Sequence, residues 1–157
     1  MVCLLWEVGK LKHTDKCWLA GFIDGEGCIT LNIGKAGKGR NFNTNYAAII
    51  RIGNTKLRLL EHCQNIAGGR IVSQQTYGIN DKPHWQWYLG SNKARRLLLE
   101  VKPYLVGKSE VADLVIKLQD SINNNKQRNK RLSPEVVEYR EEIARQVKAL
   151  NRTGLVH

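Results

Sequence analysis

The sequence predicts an α+β protein with an antiparallel sheet, its elements running αββαββα with further helices toward the C-terminal end. Three observations carry this. The apolar spacing changes from helical to alternating immediately after Gly27, so a helix feeds straight into a strand. The four strand-like segments come as two pairs, each joined without an intervening helix, which marks hairpins rather than βαβ crossovers. The 157 residues, 42% hydrophobic and 25% charged, have an ordinary globular composition and enough chain for one core. A single domain over residues 1–157 is expected, with a core over about 14–125 and a helical extension over about 132–151.

The first helix is an apolar block at residues 16–23, with Thr14 or Asp15 available as N-cap and Asp24-Gly25-Glu26-Gly27 closing it. The first strand covers 28–33, where Ile29, Leu31 and Ile33 alternate with Cys28, Thr30 and Asn32 and the first set faces a core. A basic Gly/Lys/Asn connection over 34–45 leads to a second strand at 46–52. Asn54 then caps a helix with Leu57, Leu60, Cys63, Ile66 and Ala67 on one face, closed by Gly68-Gly69. Strands at 70–77 and 84–89 follow, joined by a turn over 78–83. In the last strand Trp85, Trp87 and Leu89 share one face and His84, Gln86 and Tyr88 the other. A helix from Asn92 carries Ala94, Leu97, Leu98, Val101 and Leu105 on one side. Another after Gly107 carries Val111, Leu114, Val115, Leu118 and Ile122. A basic linker at 126–131 precedes Ser133-Pro134, a cap and first-turn proline, and a last helix buried along Val136, Ile143, Val147 and Leu150.

Charge narrows the function. The 25 Lys and Arg against 14 Asp and Glu give a net +11, spread over both halves of the chain rather than gathered in a tail. That distribution points to a polyanion lying across a broad surface. No apolar run approaches the ~20 residues of a membrane span, and the apolar opening at 1–6 is too short for a signal peptide. An intracellular protein with no membrane partner is expected. The four cysteines (Cys3, Cys17, Cys28, Cys63) include no Cys-x-x-Cys pair and read as small core residues. His13, His62, His84 and His157 show no ligand spacing and are assigned no metal role.

The block from Leu19 to Gly27 is the most informative stretch. Gly21 and Gly25 are four apart, hence on one helix face, and Ala20 adjoins them. Small residues at this spacing let another helix backbone approach closely, at about 1 kcal/mol of helix propensity per glycine. Asp24 can offer its oxygens to nearby backbone amides. Glu26 sits just past the helix C-terminus, where the dipole disfavours a carboxylate, so a compensating positive charge is required. At the strand entrance its carboxylate is free to hold a hard divalent cation. Taken alone, Asp-Gly-Glu-Gly is also no more than an acidic turn after a buried helix.

The whole nine-residue block, LAGFIDGEG, followed by a strand, resembles the LAGLIDADG homing endonucleases. The αββαββα order is similar to that family's core over roughly residues 16–120. The resemblance implies a saddle-shaped antiparallel sheet laid along a DNA major groove, with two motif helices packed at the centre. Glu26 becomes the metal acid beside the scissile phosphate, with the Gly25 carbonyl next to it, and Asp24 a structural helix-end residue. The implied cofactor is Mg²⁺, with Mn²⁺ substituting and Ca²⁺ binding without supporting cleavage. Only one motif copy is present, so the resemblance implies a homodimer on a long pseudo-palindromic site, with Trp18, Ala20, Gly21, Asp24 and Gly25 at the interface. Lys108 matches a family lysine that polarises the attacking water or stabilises phosphorane charge; its plainer reading is a solvated residue opening a helix. Asn54 matches a solvent-ordering position equally well as it makes an N-cap, with Lys56 or Arg58 as an additional basic group.

DNA reading falls to the polar strand faces. Thr30, Asn32, Arg51, Arg70, Gln74, Thr76, Gln86 and Tyr88 point away from the apolar sets, and Arg and Gln can each bond two edge atoms of guanine and adenine. Lys35, Lys38 and Arg40 in the first hairpin are placed to meet phosphates. The expected function is an intron-encoded, metal-dependent, site-specific double-strand DNA endonuclease, with double-stranded DNA and a second copy as partners. An RNA-splicing maturase acting on host intron RNA and a non-catalytic DNA-binding regulator are the two rivals.

Overall fold

The computed structural model describes residues 11–35, 43–74, 82–126 and 130–153. In chain order the elements are α1 (His13–Glu26), β1 (Gly27–Gly34), β2 (Asn45–Asn54), α2 (Leu57–Ala67), β3 (Arg70–Gln74) and β4 (His84–Gly90). Then come α3 (Ser91–Val101), a 3₁₀ turn at Lys102–Tyr104, α4 (Ser109–Asn124) and α5 (Pro134–Thr153). The sheet runs β1-β2-β4-β3, every neighbouring pair antiparallel. The two hairpins therefore meet at β2 and β4 in the middle, and the α+β, antiparallel expectation holds.

Strand alternation sorts the sheet into two faces. Ile29, Ala48, Ile50, Ile52, Trp87 and Leu89 point to the helices and are buried with Leu19, Ile23, Leu60, Leu98 and Val115. Trp87 is fully buried and donates its indole N–H to the Gly68 carbonyl at 2.7 Å. Gly69 has φ +88°, and a side chain there would run into the Trp87 indole and the Tyr88 carbonyl, so the α2–β3 corner requires glycine. α5 packs on α4 and β1. Buried Arg140 donates to the Ser121 hydroxyl and carbonyl, both at 3.0 Å, and Asn151 donates to the Ile29 carbonyl at 3.0 Å.

Several local expectations are corrected. α1 begins at His13 with Lys12 as an N-cap that makes no side-chain bond, so Thr14 and Asp15 lie inside the first turn rather than capping it. It also continues through Glu26, so Asp24-Gly25-Glu26 is its last turn and Gly27 alone ends it. Asn54 is not the cap of α2, whose N-cap is Lys56; its Oδ1 accepts the Lys56 N–H at 2.8 Å, an Asx turn leading into the helix. Ile33 is 51% exposed because it sits at the far end of the β1–β2 pair, beyond the helices' cover. Leu105 is buried but follows the 3₁₀ turn instead of extending α3, and Val136 is only partly buried. Of the cysteines only Cys63 is core, its thiol pushed up to about 12 by burial; Cys17 is exposed, Cys28 half-buried, and Cys3 lies outside the described residues. Among the described residues no helix is long and apolar enough to cross a membrane.

Candidate active site and nucleic-acid interface

How α1 ends determines the site. At Gly27 the chain turns from helix to strand in one residue, and an added Cβ would stand 2.8 Å from both Cα and O of Ile23. Only glycine lets β1 leave directly across the last helical turn. Just before it, Asp24 bonds to the start of α4. Its Oδ2 accepts the N–H of Val106 at 2.7 Å and of Gly107 at 3.3 Å, and its Oδ1 that of Lys108 at 3.0 Å. Lys108 returns the bond, its ammonium donating to the Ile23 carbonyl at 2.9 Å and to the Asp24 carbonyl. A carboxylate thus closes the N-terminal end of one helix and an ammonium the C-terminal end of the other, each with the sign its helix dipole favours. The amides that satisfy Asp24 are more than 80 positions away in sequence, not nearby as the sequence reading had them. The positive charge required at this helix end is Lys108.

Glu26, the last residue of α1, is exposed, and its carboxylate has no hydrogen bond or ion pair among the described residues. The pairing of Gly27 with Ile52 brings the end of β2, and so half-buried Asn54, to this same end of the sheet. Lys108 uses two of its three ammonium protons on carbonyls, which leaves one. Lys56 and Arg58 are exposed at the start of α2. A free carboxylate beside the Gly25 carbonyl is an all-oxygen donor set, the kind that suits a hard divalent cation. Among the described residues no three acidic, His or Cys side chains converge, so one chain offers only part of a coordination shell.

The outer side of α1 is bare. A Cβ built at Gly21 or Gly25 meets nothing within 4 Å, whereas Leu19, Ala20 and Ile23 are wholly buried on the core side. Ala20 is therefore a core residue rather than an interface one, because adjacency in sequence is a 100° turn on a helix. Asp24 is bonded within the chain. Trp18 is half-buried, its ring 5.0 Å from Phe22 and 4.7 Å from His62. Thr14 and Cys17, two turns and one turn before Gly21, are exposed and extend the bare stripe. The i−4 and i−7 spacings would have found them.

The outer face of the sheet is polar. Cys28, Arg51, Tyr88 and Arg70 are successive partners across β1, β2, β4 and β3 and form one transverse row. The Arg70 guanidinium lies 5.4 Å from the Tyr88 ring centroid, and the Tyr88 hydroxyl donates to Gln86 Oε1, so the three side chains hold one another. Thr30, Asn32 and Gln74 share this face by register, and Lys35 is exposed just beyond β1. His84 lies here as the alternation placed it, and Val72, 38% exposed, lies here too but escaped the sequence reading; strict alternation from Ile71 would have placed it. Gly53 makes room for His84, whose Nε2 would lie 2.8 Å from a Cβ at that position. Lys38, Arg40 and Thr76 lie outside the described residues.

With this geometry in view, comparisons place the chain. The family model of the LAGLIDADG endonucleases matches residues 19–108. No curated protein sequence matches the chain. Among solved structures it is similar to the homing endonuclease I-CvuI, solved with a DNA target and magnesium, at 23% identity and a TM-score of 0.69 over 88% of this chain and 85% of that one. It is also similar to the archaeal intron-encoded homing endonuclease I-Vdi141I, complexed with DNA, at 14% identity and a TM-score of 0.70 over 87% and 84% of the two chains. I-SmaMI, bound to an uncleaved DNA target with calcium, matches at 18% identity and a TM-score of 0.64 over 87% of this chain and 45% of that one.

Proposed function

We propose that this chain, which belongs to the LAGLIDADG endonuclease family, is a site-specific DNA endonuclease that cuts both strands of a long pseudo-palindromic target as a homodimer. The observation that carries the reading is a single one. Each chain sets the Glu26 carboxylate, with no partner among the described residues, at the end of a helix whose glycine stripe is bare. A second α1 packed on Gly21 and Gly25 by a two-fold axis brings two Glu26 carboxylates to a common centre, one per DNA strand. I-SmaMI, of whose chain this one covers 45%, supports a working unit about twice this chain's length.

The Glu26 carboxylate and Gly25 carbonyl would hold Mg²⁺, with Mn²⁺ substituting and Ca²⁺ binding without turnover. When bound, such an ion supplies Lewis-acid activation of water and neutralises phosphate charge. The chain's own groups do the positioning. The third N–H of Lys108 is left to bond water or a non-bridging phosphate oxygen, and Asn54 to order solvent at the same end. Water attacks phosphorus in line, the bond to the 3′ oxygen breaks, and a 3′ hydroxyl and a 5′ phosphate result. Arg51 and Arg70 read guanine edges, Gln74 and Gln86 adenine edges, while Thr30, Asn32 and Tyr88 complete the face. Lys35 meets phosphate, as would Lys38 and Arg40. The substrate sets an intracellular place of action, and the single motif copy makes one chain one half of the machine.

Cleavage of plasmids carrying a target selected from a randomised library, with Mg²⁺, tests this in wild type and Glu26→Gln. Wild type cuts; the variant binds equally and loses about 10²–10³-fold in rate, the scale of removing one transition-state charge stabiliser. If both bind and neither cuts, the endonuclease reading is lost. If the variant cuts as well as wild type, Glu26 is not the metal ligand.

A further inference from the structure

We propose that His13 and Cys17 form a binding site for a borderline-soft divalent ion of the zinc class, separate from the hard-ion position at Glu26. The two residues are four apart on α1, the spacing that sets two side chains on one helix face for a shared ligand. Both are exposed in the single chain, so an ion has direct entry there. Their donor atoms already lie together, Cys17 Sγ 3.7 Å from His13 Nε2. Zinc bonds of about 2.3 Å to sulfur and about 2.0–2.1 Å to nitrogen at a tetrahedral angle separate the two donors by about 3.5–3.6 Å. An ion can therefore replace the proton between them with almost no movement of α1.

The far side of the imidazole is also fixed. His13 Nδ1 is 3.1 Å from the Tyr104 hydroxyl, and the two rings meet edge to face at 5.3 Å. This is the outer-shell contact that orients metal-bound histidines and directs Nε2 to the ion. Binding is balanced as an exchange: the Cys17 thiol releases its proton to solvent, the thiolate and neutral Nε2 become ligands, and two waters keep the remaining tetrahedral positions. The pairing of thiolate with imidazole selects zinc, cobalt and cadmium over magnesium and calcium. Screening histidines by type missed it, because the spacing joins a histidine to a cysteine.

Cobalt(II) titration of the full chain, followed by optical spectroscopy, tests the site. Wild type should show a thiolate-to-cobalt charge-transfer band at one equivalent per chain, displaced by zinc. The band should be lost in Cys17→Ser and in His13→Gln, kept in Cys28→Ser, and formed with about 10–100-fold weaker affinity in Tyr104→Phe. As a measurement that needs no variant, zinc should shield Cys17 of the wild-type protein from alkylation, read by peptide mass. A band that persists without Cys17, displacement of cobalt by excess Mg²⁺, or alkylation of Cys17 unchanged by zinc would each overturn the proposal.

Discussion

α1 and β4 are each half buried, yet the halves they leave bare are unlike. β4 hides Trp87 and Leu89 and presents His84, Gln86 and Tyr88, polar arms of which Tyr88 is already bonded to Gln86 and stacked under Arg70. α1 hides Leu19, Ala20 and Ile23 and presents, at Gly21 and Gly25, bare backbone. A duplex groove is read by reaching into it, so its partner surface needs donors and acceptors at fixed places. Another helix is met by approaching it, so its partner surface needs room. In this chain the emptiness of one helix face carries as much information as the chemistry of one sheet face.

The widest break in that comparison comes from filling the empty face. Gly21→Leu should abolish pairing and lower double-strand cutting at least about 100-fold, while the helix itself gains up to about 1 kcal/mol from losing a glycine. Sedimentation with DNA bound and a thermal melt separate the two effects; a collapse of the melting midpoint would mean this face is packed within one chain after all. Next in size is the buried side of β4. Trp87→Ala should cost about 3–5 kcal/mol in chemical denaturation and leave the base preference of the folded fraction unchanged.

A smaller loss, about 1–3 kcal/mol of stability, is expected for Asp24→Ala, which strips three backbone N–H groups of their acceptor. Glu26→Gln, two positions on, should leave denaturation unchanged. Similar losses in both would erase the division between a structural and a reactive carboxylate. Narrowest is Arg70→Ala on the open side of the sheet. It should weaken binding by about 1–3 kcal/mol at one base-pair position of each half-target, seen as relaxed preference in a base-by-base competition series, with no change in melting.

Much of this division was legible in the sequence, where periodicity acts locally. Alternation from Ile29 and Trp85 assigned the sheet faces, and the nine-residue block located Glu26. What stayed hidden depends on distance or on rotation. The bonds from Asp24 run to backbone amides of a loop more than 80 residues later, and an amide leaves no mark on residue identity. Ala20 stands next to Gly21 in the chain yet a 100° turn away, on the buried side of the helix. The cap assigned to Asn54 was displaced because its carbonyl oxygen serves an Asx turn that starts α2 two residues later. Ile33 obeys the alternation and is still exposed, since the helices do not reach that end of the sheet.

One joint has a mechanical consequence. Glu26 ends α1 and Gly27 begins β1 with no residue between them, and the contact of Gly27 with Ile23 leaves no slack for a hinge. Helix and sheet therefore turn as a lever. In the proposed pair, the angle at which two α1 helices cross sets how far apart the two sheets lie along a duplex, and so the gap between half-targets. In that pair the gap between half-targets would then follow from the angle held at this corner, while the side chains of the strands read the bases on either side of it.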